Sequence, residues 1–152
     1  MTGCVIGLYT ASRGQPPQYC QSVNVVAGQG IIGDRYYAGT GSFSRKYAGT
    51  RKSEITLIAA EAIDEFNAKH GQAFDYGCFR RNVITRGVDL NQLVGERFAI
   101  AEVGFEGLEL CEPCQYLARM VHGDVLPDMV SRSGLRAAIL NSGALSVGDP
   151  VA

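Results

Sequence analysis

The sequence predicts a mostly β fold, a small closed β-barrel with one or two helices packed on it. The 152 residues include 19 glycines, 5 prolines and no tryptophan, which favours many turns and short strands over a helical bundle. Short apolar segments recur between turn signals, as in small barrels, and one segment has clear helical periodicity. The length predicts a single domain over residues 1–152, and 46% hydrophobic residues exclude a disordered chain.

The first third of the chain alternates predicted strands with turns. Apolar runs predict strands at 3–9, near 21–27 and at 54–58, and Pro16-Pro17 lies in the loop after the first of them. Residues 34–53 contain glycine, serine and basic residues without periodicity, so we expect a long loop there. Long loops in compact domains are often functional.

The clearest helix is predicted over residues 59–69. Ile63 and Phe66 are three positions apart and share its inner face, while charged residues occupy the outer face. Gly71 follows as a signal for the end of the helix.

The rest of the chain reads mainly as strands. Strands are predicted at 81–86, 97–103, 106–111, 135–140 and 144–147. They are separated by turn signals at Gly87, Gly95 and Gly104 and by a final turn at 141–143. A shorter helix is predicted at 114–121, because Pro113 suits the first helical position and Gly123 suits the exit.

Charge is unevenly distributed along the chain. The formal net charge of −1 gives no reason to expect nucleic acid or an anionic membrane as a partner. Residues 1–53, however, carry six cations against Asp34 alone. Arginine is the commonest cation, and its planar fork binds phosphate or carboxylate. The alternative interpretation is an ordinary solvated basic surface.

The five cysteines and the N-terminal sequence indicate a cytoplasmic protein with reduced thiols. Five is an odd number, and a secreted disulfide scaffold would have a denser, even set. The N-terminus lacks a basic flank followed by an apolar signal core, and no run approaches the ~18 apolar residues of a membrane span.

Residues 28–33 match the pattern G-x-G-x-x-G, which occurs in dinucleotide sites when the glycines open a helix. No helical pattern follows here, so a glycine-rich turn is the better interpretation. Within it, Asp34 adjoins Arg35, and an aspartate in this position can orient the guanidinium toward an anionic ligand.

Two further basic motifs could bind an anion. The run Arg80-Arg81-Asn82 leads into a predicted strand, where one cation, Arg81, and the Asn82 amide would form a phosphate or oxyanion clamp. Arg132 and Arg136 flank a turn of small residues. Surface salt bridges and plain turn chemistry are the alternatives.

The motif Cys111-Glu112-Pro113-Cys114 carries the strongest chemical signal. If Pro113 begins a helix, Cys114 lies in its first turn, where the helix dipole favours the thiolate that attacks or binds metal. A thioredoxin-type redox pair of cysteines would need the motif to lie in a βαβ unit. A zinc site formed by the two cysteines and His122 would need a fourth ligand. Two ordinary buried cysteines remain a further alternative.

Taken in order, these motifs resemble the MOSC domain family, the module found in the C-terminal region of molybdenum cofactor sulfurase and in small bacterial proteins. The resemblance covers almost the whole chain and is closer to the stand-alone proteins than to the fused sulfurases. It rests on 33–35, 55–58 with Glu61, Arg81-Asn82, 90–95, 110–114, 134–137 and 147–149.

The resemblance implies a β-barrel of the MOSC or pyruvate-kinase β-barrel-like type, whose cleft holds the molybdenum cofactor, Mo-molybdopterin. It assigns Cys114 as the metal ligand or sulfur carrier. It also implies cofactor-binding residues, with three arginines at the pterin phosphate and two residues that orient them: Arg35, Arg81 and Arg136, with Asp34 and Asn82.

One position departs from the family pattern. Many relatives have histidine directly after Gly-Asp-Arg, whereas this chain has Tyr36, so no proton-transfer role is carried over to it. Cys111 is not a general family feature; it could resolve a persulfide or simply pack.

The resemblance predicts a molybdenum-cofactor-binding protein that acts in sulfur transfer or reduces N-hydroxylated substrates at a cysteine-ligated metal. Reduction would need an external electron-donor protein, and sulfur transfer a sulfurtransferase partner. The alternative is a non-enzymatic module that carries or delivers the cofactor or sulfur.

Overall fold

The structure, a computed structural model, describes residues 3–113 and 115–152. Within these ranges the α-helices are α1 (Ala60–His70), α2 (Gln115–Met120) and α3 (Val125–Asp128). The strands are β1 (Gly3–Thr10), β2 (Gln18–Tyr19), β3 (Ser22–Val26), β4 (Gly30–Ile31), β5 (Ile55–Ala59), β6 (Val83–Arg86), β7 (Arg97–Ile100), β8 (Val103–Leu110), β9 (Leu135–Ile139), β10 (Gly143–Ser146) and β11 (Pro150–Val151).

Seven strands form a closed barrel, so the predicted mostly β fold class is confirmed. Their order is β11-β7-β8-β9-β5-β6-β1, and the barrel closes where β1 pairs with β11, with Gly3 opposite Val151. All neighbouring pairs are antiparallel except β5 and β6. A separate three-stranded sheet has the order β10-β3-β4.

Strand alternation divides the apolar residues between two cores. On β5, Ile55 and Leu57 belong to the larger core, which gathers side chains from the strands around the barrel. Ile58 belongs to the second core, together with Ile63 and Phe66 of α1. This division follows from the period of two along a strand, and it leaves the second face of β5 available for a site.

Helix α1 matches its predicted position to within one residue and ends before Gly71, as expected. Its last turn is attached to α3 and the preceding loop by His70, whose Nδ1 lies 3.2 Å from Asp124 Oδ2 and whose Nε2 lies 2.6 Å from Asp128 Oδ2. Hydrogen bonds from His70 and Lys69 hold the pKa of Asp128 below its ordinary value. This contact anchors the segment that follows α2 against α1.

One local prediction is wrong, and one strand is missing from the predicted set. The turn expected at Gly104 lies instead at 101–102, where Ala101 has a positive φ of 51°, and Gly104 is paired with Ala99 inside a hairpin. The sequence did not predict β11, in which Pro150 begins the strand that closes the barrel. The Gly104 error concerns the register of the β7–β8 hairpin, and the missing strand concerns pairing between the two ends of the chain; local turn signals encode neither.

Residues 34–53 form the predicted long loop, made of successive turns and bends. This basic loop begins after β4 and ends before β5, so both of its ends are attached to the β structure. No helix in the described ranges is long and apolar enough to cross a membrane.

We predict that Gly134→Ala destabilises the protein by about 3 kcal/mol or more, because a Cβ there would lie 2.1 Å from the Leu57 carbonyl oxygen. Gly134 also has a φ of +113°. The control is Gly148→Ala, which has a similar φ of +99° but nothing within 4 Å of the added Cβ. Urea unfolding should show a loss of only about 1–2 kcal/mol for the control; equal losses would refute the steric explanation.

Candidate functional site

Four arginines line one pocket on the outside of the barrel: Arg35, Arg80, Arg81 and Arg136. The apolar side chains of Phe43 and Leu117 also contribute to the lining. No aspartate or glutamate occurs among the described residues that line it. We refer to this cavity as the arginine pocket. The fold brings these four cations together from three separate parts of the sequence.

The floor of the pocket is set by strand register. Arg136 on β9 lies directly opposite Thr56 on β5, so their side chains share one face of the sheet, and both line the pocket. The neighbours of Arg136, Leu135 and Ala137, face the larger core instead. Alternation along β9 therefore directs Arg136 outward.

Asn82 links three strands next to this floor. Its Oδ1 accepts hydrogen bonds from the Thr56 backbone N–H (3.1 Å) and hydroxyl (3.2 Å), and its Nδ2 donates to the Tyr9 carbonyl (3.2 Å). Its side chain is buried. These bonds fix the chain directly after Arg81. Among the described residues the Asn82 side chain bonds to Thr56 and Tyr9 and not to an arginine, so it supports the pocket through the backbone.

Arg35 is held on two sides by its neighbours in sequence. The Asp34 carboxylate lies 3.2 Å from its Nη1, and its guanidinium carbon lies 4.6 Å from the centre of the Tyr36 ring. Asp34 is only 2% exposed and also accepts backbone N–H groups of Ala11 and Tyr36. This agrees with the orienting function that the sequence suggested for Asp34.

Arg81 is held by a turn that also fixes the cysteine motif. Its Nε donates to the Ser133 carbonyl oxygen at 2.8 Å. The next carbonyl, that of Gly134, accepts the Cys111 backbone N–H at 2.7 Å, and Glu112 accepts the backbone N–H of Ser131 at 3.0 Å. The turn thus connects the position of Arg81 to residues 111 and 112.

Arg136 is held by the basic loop. Its guanidinium lies 4.7 Å from the ring centre of Tyr47 and 5.6 Å from that of Phe43, and its Nη1 donates to the Lys52 carbonyl oxygen at 3.3 Å. Arg136 is 8% exposed. Cation–π contacts stabilise a guanidinium without neutralising its charge, so Arg136 remains available to an anion.

Sequence reasoning missed Glu54, the buried carboxylate that anchors the end of the basic loop. Its oxygens accept Arg51 Nε at 2.6 Å and the backbone N–H groups of Gly28 and Ile139. The hydrogen bond from Arg51 to Glu54 raises the pKa of the guanidinium. In the sequence, a glutamate directly before an apolar strand is typical of an ordinary strand end. Only the fold shows that the Glu54 carboxylate connects segments that are distant in the sequence.

Of the residues predicted to bind an anion, the structure brings Arg35, Arg81 and Arg136 to one pocket, with Asp34 and Asn82 in its support. Arg80 and Phe43 also line the pocket. Arg80 belongs to the predicted run Arg80-Arg81-Asn82 but was given no binding role, and Phe43 was not selected because a lone aromatic residue in a long loop is no recognisable motif.

Cys114, the predicted metal ligand, lies outside the described residues. Of its neighbours along the chain, Cys111 is buried and Leu117 lines the arginine pocket. Within the described ranges, no group of three or more histidine, cysteine, aspartate or glutamate side chains could hold a metal ion.

The glycine-rich segment 28–33 is not a dinucleotide-binding turn. It contains β4 and a turn, and the basic loop follows it instead of a helix. This agrees with the interpretation drawn from the sequence.

Comparisons with known proteins are consistent with this architecture. The family model described as MOSC domain matches residues 44–152. The chain is similar in structure to the YuaD protein from Bacillus subtilis, with a TM-score of 0.83, 20% identity, and coverage of 99% of this chain and 94% of that one. No curated protein gives a significant match.

Two YiiM structures are also similar. The protein from Geobacillus stearothermophilus gives a TM-score of 0.76 at 15% identity, covering 98% of this chain and 73% of that one. The protein from Escherichia coli gives 0.70 at 17% identity, covering 99% and 68%. At these identities the similarity shows the fold alone.

We predict that Asp34→Ala lowers the free energy of unfolding by about 3 kcal/mol, because it leaves buried backbone donors and Arg35 without their acceptor. Asp34→Asn keeps an acceptor oxygen and should lose about 1 kcal/mol. The control is Asp149→Ala, at a half-buried turn where one carboxylate oxygen accepts one N–H of Ser146. Equal losses for Asp34→Ala and Asp149→Ala in denaturant unfolding would contradict this account of Asp34.

Proposed function

The chain belongs to the MOSC domain family, and we propose that its arginine pocket binds the phosphate group of the molybdenum cofactor. The family is associated with that cofactor. The observation that carries the proposal is the set of four guanidinium groups on one pocket whose described lining contains no carboxylate. Such a set favours an anion with more than one negative charge.

The pocket residues fit a phosphate group in chemistry and in size. Guanidinium groups donate paired hydrogen bonds that match phosphate oxygens. The cavity volume is about 40 Å³, which is enough for a group of a few heavy atoms and too small for a whole pterin cofactor. We therefore assign only the phosphate end to this pocket.

Each pocket residue has a separate task in this proposal. Arg35, Arg81 and Arg136 donate hydrogen bonds to the phosphate oxygens. Asp34 holds Arg35 in place, and the Ser133 carbonyl holds Arg81. Because these contacts are present before any ligand binds, little side-chain entropy is lost on binding.

The apolar part of the lining favours a ligand that is not a simple ion. Phe43 and Leu117 contribute apolar surface beside the arginines. Such surface excludes water from one side of the pocket and strengthens the charged hydrogen bonds on the other. A phosphate carried on a larger organic molecule suits this combination better than a freely hydrated ion does.

We further propose that Cys114 is the metal ligand or sulfur carrier. The family pattern supports this assignment, and so do the residues on either side of position 114. The Cys111 backbone N–H is hydrogen-bonded to the turn that holds Arg81, and Leu117 lines the pocket. When bound, the cofactor supplies a metal centre capable of two-electron chemistry, and molybdenum accepts soft thiolate ligands.

Two activities are compatible with this arrangement. In the first, a sulfur atom carried as a Cys114 persulfide passes to an acceptor, with a sulfurtransferase protein reloading the thiol. In the second, an N-hydroxylated substrate gains two electrons and two protons and releases water, with the electrons supplied by an external donor protein. The non-enzymatic alternative is delivery of cofactor or sulfur to another protein.

We predict that the protein purified from cells supplied with cofactor contains stoichiometric molybdenum, and that Cys114→Ala loses most of it. The control is Cys20→Ala, whose thiol contacts Thr10 and lies outside the pocket lining. Elemental analysis of equally folded samples provides the measurement. Undiminished molybdenum in Cys114→Ala would remove the ligand role.

The same preparations distinguish a catalyst from a carrier. Turnover of an N-hydroxylated substrate with a reconstituted electron chain would support an enzyme. Activation of a cofactor-free acceptor enzyme without turnover would instead support the delivery module.

A further inference from the structure

The Tyr36 ring lines the arginine pocket next to the guanidinium of Arg35. The guanidinium carbon lies 4.6 Å from the ring centre, within the range of a cation–π contact. The tyrosine backbone is fixed at the same place, because its N–H donates to Asp34 Oδ2 at 3.2 Å. The buried Asp34 carboxylate therefore holds both the guanidinium and the residue that carries the ring.

The chain returns to this ring at Gly41. Thr40 donates its backbone N–H to the Arg35 carbonyl oxygen at 2.9 Å, which closes a turn and brings the next residue against the ring. A Cβ at position 41 would lie 2.5 Å from Cδ1 and 2.7 Å from Cζ of Tyr36. Non-bonded carbon atoms are most stable about 3.5–4.0 Å apart. The ring can therefore keep its place only beside a glycine.

Backbone conformation does not explain the glycine at position 41. Eleven of the described glycines have a positive φ, and Gly41 is not one of them. In an ordinary conformation glycine has a larger entropy cost of folding than alanine. The contact with Tyr36 supplies the reason for glycine here: the missing side chain makes room for the ring beside Arg35.

The position of Arg35 depends on more than its carboxylate partner. The three other arginines of the pocket repel its guanidinium. Asp34 bonds to one nitrogen of that group, Nη1, at 3.2 Å. The ring contacts the same group and constrains it further, and a cation–π contact leaves the positive charge in place. Arg35 is thereby directed to the pocket while it remains a cation.

We propose that Tyr36 is a positioning residue, whose ring presents Arg35 to a phosphate group, and that Gly41 fixes the place of the ring. The inference rests on the proposed function, since it concerns the same anion in the same pocket. The ring acts through Arg35 and the phenol hydroxyl is not needed.

The test displaces the ring in two independent ways. Inorganic phosphate is titrated calorimetrically, at constant ionic strength, into the wild type, Tyr36→Phe, Tyr36→Ala, Gly41→Ala and the double variant Tyr36→Ala/Gly41→Ala. The matched control is Gly123→Ala, because Gly123 also lacks a positive φ and a Cβ there would meet nothing within 4 Å. The Arg35 side-chain N–H signal is recorded by NMR without phosphate and assigned by its loss in Arg35→Lys.

We expect Tyr36→Ala and Gly41→Ala each to bind phosphate about fivefold more weakly than the wild type. Both should shift the Arg35 signal, because the ring no longer lies over the guanidinium. Tyr36→Phe keeps the ring, so it should keep the affinity and the signal. The double variant should bind no more weakly than Tyr36→Ala, because no ring remains to be displaced. Gly123→Ala should match the wild type.

Four results would overturn the inference. Unchanged phosphate affinity or an unchanged Arg35 signal in Tyr36→Ala, with binding by the wild type intact, would remove the positioning role and leave the proposed function standing. An equal loss in Tyr36→Phe would show that the hydroxyl acts instead of the ring. A further fivefold loss in the double variant would show that Gly41 acts independently of the ring. Absence of phosphate binding by the wild type would overturn this inference together with the phosphate site of the proposed function.

Discussion

Like-charge repulsion among four guanidinium groups is the physical constraint on which the pocket depends. Arg35 has one carboxylate beside it, whereas Arg81 and Arg136 are held by carbonyl oxygens and aromatic rings, which orient a cation but leave its charge in place. The pocket therefore retains a net positive charge in a partly buried environment. A multiply charged anion relieves this repulsion when it binds, and each arginine is positioned beforehand.

The barrel contributes to this concentration of charge, because Arg136 lies on one of its strands and the chain directly after Arg81 is bonded to another. The register of β5 and β9 places Arg136 opposite Thr56. The hydrogen bond between Asn82 and Thr56 attaches the segment after Arg81 to β5 as well. The turn ending at Gly134 joins Arg81 to the cysteine motif. The basic loop that carries Arg35 is itself fixed by Glu54 at its end and by the contact of Tyr47 with Arg136, so the barrel supports the site both directly and through this loop.

Much of the fold could be predicted from the sequence because its signals are local. The spacing of Ile63 and Phe66 gives α1, and alternating apolar residues give most strands. Barrel closure through Pro150 could not be predicted, because it depends on pairing between the two ends of the chain. In the site, Arg35, Arg81 and Arg136 could be predicted as binding residues, because each lies in a motif that resembles the MOSC domain family. Glu54 could not, since a buried carboxylate that links distant segments exists only in the folded chain.

The most direct test of the central claim is the affinity of the folded protein for inorganic phosphate when each cation that the sequence assigns to the pocket is removed in turn. Calorimetric titration at constant ionic strength should show binding by the wild type. It should also show a loss of about tenfold for each of Arg35→Ala, Arg81→Ala and Arg136→Ala. Wild-type affinity in all three folded variants would contradict the account, because the anion would then bind somewhere other than among these converging arginines.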